Sequence, residues 1–212
     1  MYTPTAFRDT DQNSQWQLIE RCRLALLVTQ GSQGLQATHL PLLLRRDEGP
    51  CGTLYGHLAK GNPQWRDLNA EAEVLVVFAG EDAYVSPSFY PSKAEHGKVV
   101  PTWNYLAVHA YGRPRLIDDS SGLRELLGAL TERHEAGRAQ PWSIDDAADE
   151  YIDKMLGAIV GFALPIDRLQ GKRKLSQNRD AADIAGVRAG LAASHDPQDQ
   201  RLAQLMSPQE PV

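Results

Sequence analysis

Apolar side chains recur every three or four residues in two parts of the chain, 14–26 and 120–136, which is typical of a helix with one buried face. Two further helices are predicted. One follows Ser143 and Asp146, a pair that resembles a capping box. The other covers the alanine-rich residues 180–194. We therefore expect one helix early in the chain and three in its second half.

Short apolar or alternating runs, separated by turn residues, predict six or seven strands. They cover residues 24–29, 35–44, 53–59, 74–78, 84–90, 98–117 and 157–164. Gly31 to Gly34 is typical of a hairpin turn, and residues 91–97 are expected to form a mobile surface loop. This order of elements predicts an α+β, mainly β protein built as an antiparallel barrel with added helices.

Length and composition bound the organisation of the protein. With 212 residues, 42% of them hydrophobic, the chain can bury one sizeable core. No internal repeat or linker divides it, so we expect a single domain over residues 1–212, with a polar C-terminal tail from about residue 195. No apolar run approaches the ~20 residues that cross a bilayer, and the N-terminus lacks a signal-peptide pattern. A cytoplasmic protein without a membrane partner is expected, and its two cysteines fit a reducing compartment.

The net charge of −5 argues against a surface dominated by nucleic-acid contacts, because phosphate binding requires concentrated Lys and Arg. The motifs GxSxG, HExxH, GxGxxG and the Walker loop are missing from the sequence, which removes most support for hydrolase and dinucleotide-binding folds. The six histidines include no pair at a spacing of three or four residues, so no metal site is expected.

Candidate chemistry lies instead in polar clusters within or beside the predicted strands. The richest is residues 98–112, KVVPTWNYLAVHAYG, where hydroxyl, amide and aromatic side chains crowd one run. The other clusters are Thr38 and His39; His57, Lys60 and Asn62; Ser86 and Ser88; and residues 174–179. A phosphorylated aromatic ligand could use all of them, with cations and helix-start N–H groups for the phosphate, and rings and amides for the planar part.

Asn62 followed by Pro63 predicts a helical turn with Asn62 as its N-cap, and such a start is expected to expose free N–H donors. Each cluster also has a purely structural interpretation. Residues 60–62 could be a solvated turn, His39 a core or interface histidine, and the five cations between Arg168 and Arg179 an exposed basic face. The functional interpretation depends on the occurrence of all these clusters together.

Five phrases in the chain resemble one known family. They are THLPL at residues 38–42, GHLAKGNPQW at 56–65, YVSPSFY at 84–90, VPTWNYLAVHAYG at 100–112 and KLSQNR at 174–179. Together they resemble the PaiB-like family of FMN-binding negative transcriptional regulators, and the similarity extends from the N-terminus to about residue 183. The resemblance implies a split β-barrel related to the pyridoxamine-phosphate oxidase and flavin reductase folds. It also implies a homodimer with FMN at the subunit interface.

The resemblance further implies which residues contact the cofactor. Lys60 and Asn62 are assigned to the FMN phosphate, and Thr38 and His39 to the same cleft. Trp103, Asn104 and residues 174–178 are assigned to the ring and ribityl side. The complete set of candidate cofactor-binding residues is Thr38, His39, His57, Lys60, Asn62, Ser86, Thr102, Trp103, Asn104, Lys174, Ser176, Gln177 and Asn178.

Three functional hypotheses follow from this resemblance. The first is an FMN-binding homodimeric regulator of transcription, although the acidic sequence gives DNA binding little support. The second is a flavin-dependent oxidoreductase that acts on a small molecule near His39, His57 or Tyr105, because redox enzymes are common on this fold. The third, ranked lowest, is a haem-binding split-barrel protein, since only scattered histidines offer an axial ligand.

Overall fold

A computed structural model of the protein describes residues 1–68 and 72–206. The strands in this part of the chain are β1 (Arg8–Asp9), β2 (Ala25–Gly31), β3 (Gly34–Leu40), β4 (Leu43–Arg45), β5 (Thr53–Ala59), β6 (Val74–Val85), β7 (Thr102–Gly112), β8 (Arg115–Ile117) and β9 (Ile159–Lys174). The α-helices are α1 (Gln12–Arg21), α2 (Ser92–His96), α3 (Ser120–Glu135), α4 (Asp149–Leu156), α5 (Ala181–Ala192) and α6 (Pro197–Leu205). Short 3₁₀ helices cover Thr5–Phe7, Pro63–Asp67, Pro87–Phe89 and Ile144–Asp146.

The strands form an antiparallel sheet whose order is β3-β2-β6-β7-β9-β5-β4, with β1 and β8 also paired to β9. Strand β9 is long enough, at 16 residues, to pair with several partners along its length. The predicted antiparallel, mainly β architecture with added helices is confirmed.

The chain folds into two compact units. Unit 1 contains residues 1–15, 79–108 and 170–212, and unit 2 contains residues 16–78 and 109–169. Strands β6, β7 and β9 contribute residues to both units. The single domain expected over residues 1–212 stays a prediction.

In unit 2, the β2–β3 hairpin closes where Gly31 pairs with Gly34. Gly34 has a φ of 91°, a left-handed conformation that glycine adopts without strain. On the next strand, Val76 pairs with Leu27 of β2, and both side chains are fully buried. The alternation along β2 therefore gives this part of the sheet one buried face.

Helices α3 and α4 cover another part of the sheet in unit 2. Leu123, Ile152 and Leu156 form a buried cluster between them. A Cβ added to Gly161 of β9 would lie only 2.9 Å from Leu123 Cδ2 and 3.1 Å from Leu126 Cδ2. The missing side chain at this glycine therefore lets α3 approach the strand closely.

In unit 1, helix α5 packs against the 3₁₀ helix Pro87–Phe89. A Cβ on Gly186 would lie 2.1 Å from the Phe89 carbonyl oxygen, and a Cβ on Gly190 would lie 2.4 Å from the Phe89 ring. One helical turn away, the buried Asp183 carboxylate accepts hydrogen bonds from the Ser92 N–H at 3.2 Å and the Ser92 hydroxyl at 2.8 Å.

Several predicted elements are confirmed. Strand β5 has the predicted bounds, and α3 agrees with the predicted helix at 120–136 to within one residue. The predicted N-cap is also present, because the Asn62 side chain accepts a hydrogen bond from the Gln64 N–H. Ser143 and Asp146 form the predicted capping box, but it caps the 3₁₀ helix Ile144–Asp146, and α4 begins only at Asp149.

Other predictions are wrong. Residues 84–90 are not a separate strand, since Val85 ends β6 and Pro87 begins a 3₁₀ helix. The predicted loop at 91–97 contains helix α2. The polar tail from residue 195 stays a prediction: it contains helix α6, whose Leu202 is fully buried, and residues 207–212 lie outside the described residues. These segments are too short, and contain too few buried residues, to show the periodic pattern from which a helix is predicted.

Candidate functional site

In unit 2, a buried glutamine brings two of the predicted ligands together. Gln64 is 1% exposed, and its Oε1 accepts a hydrogen bond from the Thr38 hydroxyl at 2.5 Å. The backbone N–H of Gln64 donates to Asn62 Oδ1 at 3.1 Å, and Asn62 Nδ2 donates to Thr38 Oγ1 at 2.9 Å. Gln64, Asn62 and Thr38 therefore form a closed triangle of hydrogen bonds, which we call the Gln64 network.

The Gln64 network also reaches the β2–β3 hairpin. Gln64 Nε2 lies within hydrogen-bond distance of the Leu27 carbonyl at 3.2 Å and of the Gln36 carbonyl and Thr29 Oγ1, both at 3.3 Å. Asp67, at the end of the same 3₁₀ helix, accepts from the Thr29 hydroxyl at 3.1 Å and from Gln36 Nε2 at 3.2 Å. Gln64 was missed in the sequence analysis, because a polar residue beside Asn-Pro is expected to be exposed. Its burial depends on contact with the β2–β3 hairpin, which is distant in sequence.

The expected free N–H donors at this helix start are not available. Pro63 has no N–H, and the Gln64 N–H is used by Asn62. Lys60 keeps an exposed side chain, while its N–H donates to the Ala158 carbonyl at 2.8 Å and its carbonyl accepts from Trp65 Nε1 at 3.1 Å. The cation at Lys60 is therefore held on an anchored backbone.

The two histidines predicted beside these residues lie elsewhere in unit 2. His39 is exposed, whereas Thr38 is half-buried under Gln64, because adjacent strand residues project from opposite faces. The two side chains therefore project from opposite faces of β3, and their assignment to one cleft stays a prediction. His57 pairs with Gly161, so it lies on the face that α3 covers, and burial lowers its pKa.

In unit 1, the half-buried Lys174 contacts two other predicted ligands, Thr102 and Trp103. The Lys174 ammonium donates hydrogen bonds to Thr102 Oγ1 and, at 2.7 Å, to the Trp103 carbonyl. The Trp103 ring itself is 54% exposed, and its centroid lies 5.9 Å from that of the exposed Tyr84 ring in an edge-to-face arrangement. Lys174 therefore fixes the β7 backbone beneath an aromatic pair that faces solvent.

Asn104 is the most deeply buried of the predicted ligands, with no exposed surface. Its Nδ2 donates to Ser176 Oγ at 2.9 Å and lies 3.9 Å from Met206 Sδ, whereas its buried Oδ1 has no partner in the described part of the chain. Ser176 has a φ of 65°, a left-handed conformation that is uncommon for residues other than glycine. This strained turn after β9 is what places Ser176 against Asn104.

The remaining predicted residues lie on the surface of unit 1. Gln177 is exposed and closes the turn, because its Oε1 accepts from the Leu175 N–H and its Nε2 donates to the Arg173 carbonyl. Asn178 is exposed as well. Ser86 caps the 3₁₀ helix Pro87–Phe89 by accepting from the Ser88 N–H at 3.2 Å. Of these three side chains, only that of Asn178 makes no hydrogen bond among residues 1–68 and 72–206.

Comparison with known proteins identifies the family of the chain. A model of the family described as "Putative FMN-binding domain" matches residues 1–168. The chain belongs to this FMN-binding family. A member from Bacillus subtilis, the protease synthase and sporulation protein PAI 2, is 35% identical over 206 residues, which cover 97% of this chain and 96% of that protein.

Solved structures show that this family member shares its fold with flavin-binding proteins. The FAD- and haem-binding protein from Mycobacterium smegmatis superposes with a TM-score of 0.59 at 24% identity, over 84% of this chain and 78% of that one. The flavocytochrome Anf3 from Azotobacter vinelandii gives a TM-score of 0.59 at 17% identity, over 84% of this chain and 75% of that one. The predicted split-barrel fold and the predicted cofactor, FMN, are both supported.

The described residues of each unit offer groups of the kind that FMN requires, while the individual contacts stay a prediction. Unit 2 offers the exposed ammonium of Lys60, a charge that complements a phosphate. Unit 1 offers the exposed ring of Trp103 and the exposed amide of Asn178, which suit a planar ring system with mixed donors and acceptors. In residues 1–68 and 72–206, no helix is long and apolar enough to cross a membrane.

Proposed function

We propose that this FMN-binding protein is a homodimer and that its role is regulatory. The homodimer is supported by an apolar face of unit 2 that the described residues cover only in part. Leu26 pairs with Val77, and Val28 pairs with Leu75, on the sheet face opposite the fully buried Leu27. These four residues are only half-buried in the single chain.

A second copy of this chain is the occupant that we propose for this face. Contiguous apolar surface on a sheet is typical of an interface, and homodimers bury such surface between identical chains. The family resemblance, which implies FMN at a subunit interface, supports the same arrangement.

The dimer is tested by placing a charge on this face. We expect Val77→Arg to convert the protein from dimer to monomer in sedimentation or light-scattering measurements, because a buried unpaired cation is costly. Tyr151→Arg is the matched control, since Tyr151 is exposed on α4 and its replacement leaves the dimer intact. A wild-type protein that is monomeric at micromolar concentration would exclude the homodimer.

The proposed FMN contacts assign the phosphate to Lys60. We expect Lys60→Ala to weaken FMN binding by about 1 to 3 kcal/mol, the scale of a lost charge-assisted hydrogen bond, with little change in stability because the side chain is exposed. Asn62→Ala is less selective, since it also breaks the Gln64 network. Flavin titrations that are unchanged in Lys60→Ala would remove this assignment.

A regulatory role is supported by the printed name of the Bacillus subtilis relative, which refers to protease synthesis and sporulation. Direct DNA contact has weaker support. Arg168, one of the cations expected to form an exposed basic face, is paired with Glu73 at 3.4 Å, and Lys172 is 8% exposed. We therefore propose that the protein regulates in an FMN-dependent manner. Whether it contacts DNA directly is tested by measurement.

That measurement compares the upstream region of the protein's own gene with a shuffled duplex of equal length at physiological salt. Regulation by direct binding predicts a preference for the native region that changes between the FMN-loaded and flavin-free protein. Equal affinity for both duplexes in both states would contradict it.

The exposed aromatic pair favours a second candidate, a flavin-dependent oxidoreductase. Trp103 and Tyr84 are 54% and 48% exposed, and planar small molecules bind to such surfaces. FMN, when bound, supplies reversible electron transfer, while the chain holds and orients it. NAD(P)H oxidation above that of free FMN, lost in Trp103→Ala, would support this candidate, and no turnover above free FMN would exclude it.

A further inference from the structure

Lys172, Lys174 and Arg179 lie in unit 1, and no salt bridge joins any of the three to an acidic side chain among the described residues. Lys172 and Lys174 are two residues apart near the end of β9, and Arg179 follows the next turn. Some other cations of the chain are paired with a carboxylate, as where Arg124 lies 2.7 Å from Asp149. This group, which we call the Lys174 cluster, therefore carries uncompensated positive charge.

The Lys174 cluster is partly withdrawn from water. Lys172 is 8% exposed, and its ammonium lies 4.8 Å from the Tyr105 ring centroid. Lys174 is half-buried, and the Arg179 guanidinium lies 4.8 Å from the Tyr90 ring centroid. Burial, and then the charges of Lys172 and Arg179, lower the pKa of Lys174, so each of these two cations lies close enough to Lys174 to repel it.

The cluster also has unused hydrogen-bond donors. An ammonium has three N–H groups; Lys174 uses two of them, on Thr102 and Trp103, and Lys172 uses one on the Tyr2 carbonyl at 3.2 Å. The guanidinium N–H donors of Arg179 make no hydrogen bond among the described residues, which provide only the contact with the Tyr90 ring. An anion with several acceptor oxygens would relieve the repulsion and satisfy these donors together.

We propose that Lys172, Lys174 and Arg179 bind the phosphate group of a small molecule. A phosphate monoester fits because it carries a charge of about −1.5 to −2 and three acceptor oxygens. Nucleic acid fits less well, because the backbone of a duplex does not reach a cation as buried as Lys172. The site goes beyond the proposed function, which places the FMN phosphate at Lys60.

The test is calorimetric titration of inorganic phosphate, with chloride at equal ionic strength as the reference. We expect Arg179→Gln to weaken phosphate binding about tenfold or more, as for a lost charge-assisted hydrogen bond. Arg179→Lys should restore part of the affinity. Arg188→Gln removes an exposed cation from α5 of the same unit and should leave binding unchanged. Phosphate binding no stronger than that of chloride, or equal losses in both glutamine variants, would overturn the proposal.

A second readout separates binding from a structural role. In nitrogen NMR titrations, phosphate should raise the pKa of Lys174, because an anion offsets the repulsion by its neighbours. An unchanged pKa at saturating phosphate would count against the site. Displacement of phosphate by a short random duplex would also contradict it, since the occupant would then be nucleic acid.

The source of the phosphate group is found by repeating the titration with and without flavin. Phosphate that binds both the FMN-loaded and the flavin-free protein identifies a second phosphorylated ligand. Phosphate that binds only the flavin-free protein, together with a preference for FMN over riboflavin that Arg179→Gln abolishes, assigns the site to the phosphate of FMN itself.

Discussion

At the scale of single residues, most of the predicted ligands have an internal hydrogen-bonding role. Thr38 and Asn62 are bonded to each other and to Gln64, and Asn104 is buried against Ser176. The sequence indicated that these polar residues matter, but it could not indicate that a neighbouring glutamine organises two of them. Polar side chains in a short motif give no signal of which one is buried.

We predict that Gln64→Leu destabilises the protein by about 2 kcal/mol or more, because the Thr38 hydroxyl loses its acceptor and two backbone carbonyls each lose a donor. Urea-induced unfolding measures the change. The control, Gln30→Leu, replaces an exposed glutamine of β2 and should alter stability by less than about 0.5 kcal/mol. Equal effects of the two substitutions would show that the Gln64 network contributes little.

His57 gives a prediction for pH. Burial lowers its pKa below the ordinary ~6.5, so the unfolded state binds a proton at higher pH than the folded state. Its stabilising contribution is therefore complete above about pH 6.5 and is lost as the pH falls through the folded-state pKa. His57→Leu should reduce the loss of unfolding free energy between about pH 7.5 and 5.5.

The matched control for pH is His39→Leu, at an exposed position of β3, which retains the contribution of His57. Unfolding free energies at both pH values, with an NMR titration of the His57 ring, give the comparison. If the unfolding free energy of His57→Leu depended on pH as steeply as that of the wild type, His57 would not be the source of this pH dependence.

At the scale of elements, long periodic segments were predictable and short ones were not. The four-leucine pattern of α3 and the bounds of β5 were correct. Helix α2 has five residues and α6 has nine, so neither carries enough turns for a clear period. The position of α2 follows from packing, since Ser92 of α2 donates two hydrogen bonds to the buried Asp183 of α5.

Two helical glycines give opposite predictions. Gly186→Ala in α5 should destabilise the protein despite the higher helix propensity of alanine, because its Cβ would lie 2.1 Å from the Phe89 carbonyl oxygen. Gly128→Ala in α3 meets only Ile144 Cδ1 at 3.6 Å, so it should stabilise by about 0.5 to 1 kcal/mol. Thermal unfolding of both variants decides, and stabilisation by Gly186→Ala would show that this contact is not tight.

At the scale of the whole molecule, we propose that dimer formation and FMN binding are coupled. If both subunits contribute contacts, Val77→Arg should weaken FMN binding together with dimerisation, whereas Tyr151→Arg should change neither. Flavin fluorescence titrations at several protein concentrations measure this coupling. A monomeric Val77→Arg protein with the wild-type FMN affinity would place the whole cofactor site within one chain.

By itself, the sequence determined the fold class and the FMN-binding family, because periodic burial and the phrases from THLPL to KLSQNR are local properties of the chain. Only the tertiary structure decided that Gln64 is buried against the β2–β3 hairpin. It also placed Lys174 close to both Lys172 and Arg179, with no salt bridge to any of the three among the described residues. Burial and charge balance depend on neighbours that are distant in sequence, and those neighbours are defined only when the strands pair.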